Sequence, residues 1–232
     1  MSQTLMVSVS GMRGIVGTDL TPELVARHAA ALGAWARAAG NSTVVLGRDA
    51  RTSGEMYARA AAAGLMSAGA TVIDLGIVPT PTVQLAVEHH HAGAGLILTA
   101  SHNPIEWNAI KLVGPDGIFL DAESGAAVRA LAEQGPPRTG WEGVGALRDD
   151  PQAIQRHIDL VLSLPLLERE AIRRSKFRVA LDCVRGAGGT TMPKLLEALG
   201  CEVHVINGQV DGRFPRPPEA RPPWLTDLLE ST

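Results

Sequence analysis

Residues 94–104 read Ala94-Gly-Leu-Ile-Leu-Thr-Ala-Ser-His-Asn-Pro104. The first five are small or apolar, and the rest are rich in the Ser, Asn and Pro that favour turns. This pattern predicts a buried strand over 94–98 that runs directly into a loop. Loops at the carboxyl ends of strands carry functional groups in open α/β sheets, so Ser101 and His102 are candidates for a functional site.

The sequence before this strand alternates between short β-rich runs and alanine-rich helical runs. The first helix is predicted to have Thr21 as its N-cap and Pro22 as its first residue. Alternating strands and helices favour a three-layer α/β fold, a mixed and mostly parallel sheet with helices on both faces. The elements predicted here are helices at 21–39, 55–68 and 82–89 and strands at 43–46 and 70–75.

A second α/β unit is predicted after a turn-rich stretch at 134–150. We therefore expect a first domain over 1–150 and a second over 151–232. The second has only two clear strands, which is small for independent stability, so it reads as an incomplete domain of similar type. Its predicted elements are a helix at 151–164, a strand at 177–182, a glycine turn at 186–189, a helix at 191–199 and a strand at 202–206.

Composition narrows the function classes. The chain has 232 residues, 45% of them hydrophobic, with a net charge of -3. Nucleic-acid and membrane-surface binders need a concentrated positive field, so neither partner is expected. No apolar run reaches the roughly 18 residues of a membrane span, and the first residues lack a signal-peptide pattern. Cys183 and Cys201 are expected to be reduced thiols, and the protein is expected to be cytoplasmic.

Five motifs together carry a resemblance to a known family. Thr99-Ala-Ser-His-Asn-Pro104 matches the phosphoserine loop of the α-D-phosphohexomutases, which include phosphoglucomutases, phosphomannomutases and phosphoglucosamine mutases. Ser10–Gly14, Gly47–Gly54 and Trp107–Lys111 resemble the family's G-x-R-G, G-R-D-x-R-x-S-G and Y-N-G-x-K segments, in the same order. Val179–Gly188 resembles a stretch of its second domain. The chain thus looks like the first two domains of such an enzyme, truncated afterwards.

The resemblance implies an intramolecular phosphotransferase that interconverts hexose or hexosamine 1- and 6-phosphates. Ser101 would carry the phosphoryl group, and a bisphosphorylated sugar would be the intermediate. Lys111 and Arg13 would serve proton transfer, and His102 would orient the phosphate. Asn103 would join these residues in binding the substrate phosphate. A phosphoserine carries about -1.5 to -2 charges, so cations nearby are physically required. The candidates, on loops that could converge, are Arg13, Arg48, Arg51 and Lys111.

The resemblance also implies cofactors and partners. Mg²⁺ would be held by an oxygen of phosphorylated Ser101 and by three carboxylates of a D-x-D-x-D-R loop, with a hexose 1,6-bisphosphate as activator. The full-length form would be a monomer or homodimer acting on small sugar phosphates. The sequence contains no such loop, and Asp149-Asp150 is its nearest carboxylate pair, placed in the expected linker. We therefore expect the 232-residue chain alone to have little mutase activity.

The substrate and several residues leave alternatives open. The amino-acid sequence of residues 8–17 and 107–112 looks most like that of phosphoglucosamine mutases, which favours this enzyme over a phosphomannomutase or phosphoglucomutase. A non-catalytic remnant that binds sugar phosphates is a further alternative. Several residues also have a purely structural or solvent-exposed alternative. Arg48 and Asp49 could shape a loop by pairing with each other or with Ser53, and Arg51 could be plain surface charge. His89–His91 could be a solvated helix end, Trp107 a loop anchor and Gly186–Gly189 a structural turn.

Overall fold

The computed structural model describes residues 4–8, 11–226 and 228. Ser10, the first residue of one of the motifs, lies outside the described residues. Within them the strands are β1 Met6–Ser8, β2 Gly11–Ile15, β3 Thr43–Arg48, β4 Thr71–Ile77, β5 Ala94–Leu98, β6 Trp107–Val113, β7 Leu147–Asp149, β8 Arg178–Asp182 and β9 Glu202–Ile206. The helices are α1 Pro22–Ala38, α2 Gly54–Ser67, α3 Thr80–His89, α4 Ala122–Gln134, α5 Ala153–Leu162, α6 Arg169–Ser175 and α7 Met192–Ala198.

The first sheet, as far as the described residues show it, has seven strands in the order β1-β2-β6-β5-β3-β4-β7. Strands β5, β3, β4 and β7 are parallel to their neighbours among themselves, whereas β6 is antiparallel to both β5 and β2. Strand β2 therefore runs in the same direction as these four. The predicted mixed, mostly parallel sheet is confirmed.

Helices cover both faces of this sheet, which confirms the three-layer prediction. Alternate residues of β3 divide between the two cores: Val44 and Leu46 face one side and Val45 faces the other, as the two-residue period of a strand requires. Helices α1, α2 and α4 pack on the first side, whereas α3 and the start of α5 pack on the second.

Local sequence explains the first helix. The side chain of Thr21 accepts a hydrogen bond from Leu24 N at 3.3 Å, and Pro22 opens the helix. Both features are as predicted, because a threonine cap satisfies one free N–H and proline needs none at the first position. Apolar residues at helical spacing, among them Val25, Ala29 and Leu32, are fully buried against the sheet.

Several elements were not predicted from the sequence. Strands β1, β2, β6 and β7 and helices α4 and α6 belong to this group. The placement of Asp149-Asp150 in a linker stays a prediction; Asp149 ends β7 and pairs with Asp74 in β4. Strand β7 has three exposed residues, so it lacks the alternation that marks a strand.

The second unit has a two-stranded parallel sheet, β8 and β9, with α7 as the crossover between them. This agrees with the predicted second α/β unit. The boundary near residue 150 stays a prediction; Ala153 and Ile154 of α5 pack into the second core of the first sheet. None of the helices in the described part of the chain has both the length and the apolar composition needed to cross a bilayer.

Candidate functional site

Ser101 lies in the loop of residues 99–104, here called the serine loop, which directly follows β5 at the carboxyl edge of the sheet. Its side chain is exposed, and its backbone has a φ of 57°. A positive φ is unfavourable for a residue with a Cβ, by roughly 1–2 kcal/mol. The surrounding structure must therefore hold Ser101 in this conformation.

Both backbone groups of Ser101 are held by neighbouring side chains. Its N–H donates to Thr99 Oγ1 at 3.0 Å, and its carbonyl accepts from Arg51 Nη2 at 3.0 Å. Thr99 in turn donates its hydroxyl proton to Asp49 Oδ2 at 2.6 Å. This relay ties the serine loop to residues 47–54, here called the arginine loop.

Arg51 is buried, with 1% of its surface exposed, so its reading as plain surface charge was wrong. Nε donates to Asp49 Oδ2 at 3.1 Å, and the two terminal nitrogens donate to four backbone carbonyls. Burial lowers the pKa of Arg51, Asp49 opposes that effect, and an arginine remains charged in any case. The carbonyls belong to Ser101 at 3.0 Å, Asn103 at 2.7 Å, Pro104 at 2.7 Å and Trp107 at 3.0 Å.

Three further predicted site residues meet at the exposed side of the serine loop. Ser101 Oγ lies 3.4 Å from His102 Nδ1. Arg13, on β2, donates from Nη1 to Asn103 Oδ1 at 3.4 Å. Both contacts are long, and Arg13 and His102 are exposed, so these groups are open to an anionic ligand.

Lys111 lies on β6, on the same face of the β2–β6 pair as Arg13. Lys111 pairs with Gly11, and Arg13 pairs with Ala109, so the two cations lie two residues apart along one face. Burial lowers the pKa of Lys111, the charge of Arg13 lowers it further, and Asp49 opposes both. The amine lies 5.6 Å from the centre of the Phe119 ring.

A cavity of about 350 Å³ opens next to Ser101, between the two units. Roughly 300–1,000 Å³ is the usual size of a small-molecule pocket. Its lining from the first unit includes Asp49, Thr99, Ser101 and His102, and from the second Val184, Gly186, Ala187, Phe214 and Pro218. A larger cavity of about 380 Å³, between α3 and α5, is mainly apolar and contains none of the predicted site residues.

The residues around Ser101 do not by themselves make a magnesium site. Asp49 is the carboxylate that lines the same cavity, and both of its oxygens accept hydrogen bonds from Arg51 or Thr99. Within residues 4–8, 11–226 and 228, no group of three His, Cys, Asp or Glu side chains could hold a metal ion. Mg²⁺ prefers six oxygen ligands, so the set available here does not fit it.

The remaining alternatives are resolved in part. Asp49 does shape the arginine loop, but through hydrogen bonds from Arg51 and Thr99. The hydroxyl of Ser53 instead accepts a hydrogen bond from Asn108 Nδ2 at 2.9 Å. The histidine run is not entirely solvated, because His90 Nε2 lies 2.8 Å from Asp150 Oδ2. Trp107 is partly buried, as expected, but it begins β6, and the glycine turn forms a short 3-10 helix over Ala187–Thr190.

Comparison with models of known protein families identifies the family of both units. The model of the phosphoglucomutase/phosphomannomutase α/β/α domain I matches residues 5–138, and the model of domain II matches residues 155–231. The chain belongs to the phosphoglucomutase/phosphomannomutase family. Family membership accounts for the fold of both units and for the order of the five motifs.

Individual relatives agree with this assignment. A phosphoglucomutase/phosphomannomutase of Thermococcus kodakarensis is 40% identical over 95% of the chain and 48% of its own length. A probable phosphoglucosamine mutase of Methanosarcina acetivorans is 41% identical over 90% and 46%. The crystal structure of a phosphoglucomutase/phosphomannomutase family protein from Burkholderia thailandensis has a TM-score of 0.79 at 26% identity, over 97% of this chain and 50% of that one. The chain thus spans about half the length of the curated relatives it matches.

Sequence reasoning missed two contributors to the site. Thr99 was part of the quoted motif but had no role assigned, and Phe214 was not considered. Phe214 has its ring centre 5.2 Å from the Arg51 guanidinium carbon. A local signal existed for Thr99, which directly follows the buried strand 94–98 at the sheet edge where functional loops lie, and there was none for Phe214.

Proposed function

We propose that this chain supplies the phosphoryl-carrying part of a phosphohexomutase, with Ser101 as the carrier and a hexosamine phosphate as the substrate. The observation that supports it best is the position of Ser101. Its hydroxyl is exposed beside a cavity of small-molecule size, on a loop whose backbone is fixed at both sides of the residue. Phosphoryl transfer needs positioning and charge neutralisation more than covalent help, and this arrangement supplies the positioning.

In the proposed reaction, the bond between phosphorus and Ser101 Oγ breaks and a bond forms to a sugar hydroxyl oxygen. The hydroxyl proton passes to a base, for which Lys111 is the candidate, because its lowered pKa increases the neutral fraction, and the departing Ser101 Oγ takes a proton from solvent. In the return step Ser101 Oγ bonds to the other phosphorus of the bisphosphorylated sugar and gives its proton to solvent. The bond from that phosphorus to the sugar oxygen breaks, and the sugar oxygen takes the proton held by Lys111. Arg13 and His102 would bind and orient the transferring phosphate, and Asn103 would hold Arg13 in place.

The choice of a hexosamine phosphate as substrate is supported by the resemblance and by the names of several relatives. Curated relatives from methanogenic archaea are named probable phosphoglucosamine mutases at 34–41% identity. The Thermococcus relative, named for glucose and mannose phosphates, favours a second candidate, phosphoglucomutase/phosphomannomutase activity. The Mg²⁺ and the bisphosphate activator stay predictions, as do the cytoplasmic location and the monomer or homodimer.

Phosphopeptide mapping tests the role of Ser101. The purified chain is incubated with glucose 1,6-bisphosphate, with and without Mg²⁺, and the phosphorylated residue is mapped by mass spectrometry. We expect one phosphoryl group, on Ser101, that is lost in Ser101→Ala and kept in Ser175→Ala, a control at an exposed serine on α6. Phosphate on another residue, or equal labelling of Ser101→Ala, would contradict the proposal. A chain that binds bisphosphate at Ser101 without accepting phosphate would support the non-catalytic alternative.

Substrate choice needs a separate measurement. The kcat/KM of the complete gene product is compared on glucosamine, glucose and mannose phosphates. We expect glucosamine phosphate to be preferred. A preference of about tenfold for glucose or mannose phosphate, equivalent to about 1.4 kcal/mol in transition-state binding, would favour the second candidate.

A further inference from the structure

Arg51 is a buried cation with every donor occupied. A guanidinium has five N–H groups, and those of Arg51 go to one carboxylate and four backbone carbonyls. The four carbonyls all belong to residues 101–107. The segment around Ser101 is therefore wrapped about this side chain.

Convergence of four carbonyls is unfavourable without the cation. Carbonyl oxygens carry partial negative charge, and an oxygen that loses its donor inside the protein destabilises the fold. A lysine presents three donors from one point and cannot reach the spread of acceptors that a planar guanidinium reaches. The conformation of the serine loop thus depends on the shape of the Arg51 side chain as well as on its charge.

The second unit closes over this residue. The Phe214 ring covers the guanidinium at 5.2 Å, a distance at which cation–π attraction operates. Gly212 has a φ of 68°, and a Cβ there would lie 1.9 Å from the carbonyl oxygen of Ala50. Only glycine permits this approach of the second unit to the arginine loop.

From these contacts we propose that Arg51 is the positioning residue of the serine loop: it fixes the backbone of Ser101 so that Oγ faces the cavity, and Phe214 of the second unit keeps the guanidinium in place. Arg51 is not itself part of the cavity lining, and its hydrogen bond to Ser101 goes to the backbone carbonyl and not to the hydroxyl, so it acts through Ser101. This inference rests on the proposed function where it assigns phosphoryl transfer to Ser101. The conformational part stands by itself.

A purely stabilising role and a positioning role differ in their consequences. Loss of stability alone would leave the folded fraction with normal chemistry. A misplaced nucleophile lowers the rate at saturating phosphoryl donor while leaving donor binding nearly unchanged, because Arg51 does not line the cavity. Misplacement by about 1 Å can cost on the order of a hundredfold in rate.

The experiment uses the 232-residue chain and Arg51→Lys, with Arg59→Lys as the matched control. Arg59 lies on the exposed face of α2 and pairs with Glu55. Hydrogen exchange is followed in peptides covering residues 99–107, and the rate of Ser101 phosphorylation is measured over a range of glucose 1,6-bisphosphate concentrations. For Arg51→Lys we expect exchange at least about tenfold faster in that segment only. We also expect a saturating rate lower by about a hundredfold, with the half-saturating concentration within about threefold.

Further variants decide the matter if Arg51→Lys does not fold. Thr99→Val removes the acceptor of the Ser101 N–H and should slow labelling by about tenfold, whereas Thr99→Ser restores it. Phe214→Leu keeps an apolar cover, loses the cation–π contact and should slow labelling by about threefold. A folded Arg51→Lys with wild-type exchange and labelling overturns the proposal, as does equal behaviour of Thr99→Val and Thr99→Ser. If the wild-type chain takes up no phosphate, the proposed function fails, and the exchange data still decide whether Arg51 or Thr99 positions the loop.

Discussion

Ser101 combines an exposed hydroxyl with a left-handed backbone. The hydrogen bonds to Thr99 and Arg51 offset the cost of this conformation. Strain held by surrounding structure is common at functional sites, because it points a reactive group away from its own strand. A substitution at residue 101 should therefore change the free energy of unfolding according to how easily the new residue adopts a positive φ. This effect is separate from the loss of the nucleophile.

Ser101→Gly should be more stable than Ser101→Ala by about 1 kcal/mol, because glycine adopts a positive φ without the Cβ penalty. Both variants lack the hydroxyl, so each serves as the control for the other. Urea denaturation monitored by circular dichroism gives the two free energies of unfolding. Equal stabilities, or a more stable alanine variant, would show that the backbone of residue 101 is not strained.

Lys111 gives a prediction on pH dependence. Burial and the charge of Arg13 lower its pKa in the folded state below the ordinary 10.5. At pH values between the lowered pKa of the folded state and 10.5, the unfolded chain binds more protons than the folded one. In that range this lysine therefore makes the free energy of unfolding rise with pH. Lys111→Met should remove that rise and should also abolish phosphoryl transfer. Denaturation of both proteins from neutral pH to pH 10.5 measures the difference, and parallel curves would contradict the lowered pKa.

The residue scale is also where the sequence was least informative. Ser101 and His102 were identified because they follow an apolar run that forms a strand, a local signal. The four carbonyls that Arg51 binds belong to residues 50 to 56 positions away along the chain, so no local pattern indicates its burial. The role of this arginine becomes visible only when β3 and β5 are paired in space.

At the scale of elements, the sequence predicted the helices and strands that apolar residues mark, either by helical spacing or by an unbroken apolar run. Strand β5 was predicted with the observed bounds because all five of its residues are buried. Strand β7 was missed because its three residues are all exposed. Its neighbour Asp150 nevertheless joins three elements, since it lies after β7 and accepts from His90 beside α3 and from Arg156 on α5.

Asp150→Asn should therefore loosen the packing of α5. Burial raises the pKa of Asp150, but hydrogen bonds from Arg156, His90 and the Gln152 N–H outweigh it and lower the pKa from 3.8 to about 2. A carboxylate with a depressed pKa stabilises the fold above pH 3.8, and this stability is lost as pH falls towards about 2. The shift corresponds to about 2 kcal/mol.

Denaturation at pH 7 and across this acid range checks the prediction. We expect Asp150→Asn to lower the free energy of unfolding by about 2 kcal/mol at pH 7. We also expect the variant to lose less stability than the wild type as the pH falls from 3.8 towards 2. Asp149→Asn, at the exposed neighbouring position, is the control and should change little. A wild-type acid limb in Asp150→Asn would mean that other carboxylates set the acid stability.

At the scale of the whole molecule, the cavity beside Ser101 is built by both units. Asp49 and Thr99 come from loops after β3 and β5, whereas Val184 and Phe214 come from the second unit. Val184 has a φ of 50°, which is unfavourable for a β-branched side chain, so the second wall of the cavity is held in a strained turn too. The arrangement places Ser101 beside a cavity that both units line.

We predict that residues 1–232 exchange a phosphoryl group at Ser101 but turn over sugar phosphates at least about tenfold more slowly than a full-length relative. Neutralising the charge on the moving phosphoryl group is the largest requirement of this chemistry, and a divalent cation bound by carboxylates normally contributes most of it. The candidate carboxylates are already committed: Asp49 to Arg51 and Thr99, Asp182 to Arg216 and Asn207, and Asp211 to Arg185.

The measurement follows interconversion of 1- and 6-phosphates by the isolated chain with millimolar Mg²⁺ and a catalytic amount of bisphosphate, beside a full-length relative under the same conditions. Phosphorylation of Ser101 without turnover is the expected result, because Arg13 and Lys111 can neutralise part of the charge, whereas Asp49 has no free oxygen for a metal ion. Turnover within about tenfold of the relative, a barrier difference below about 1.4 kcal/mol, would contradict the prediction, because the isolated chain would then neutralise the charge without a carboxylate cluster.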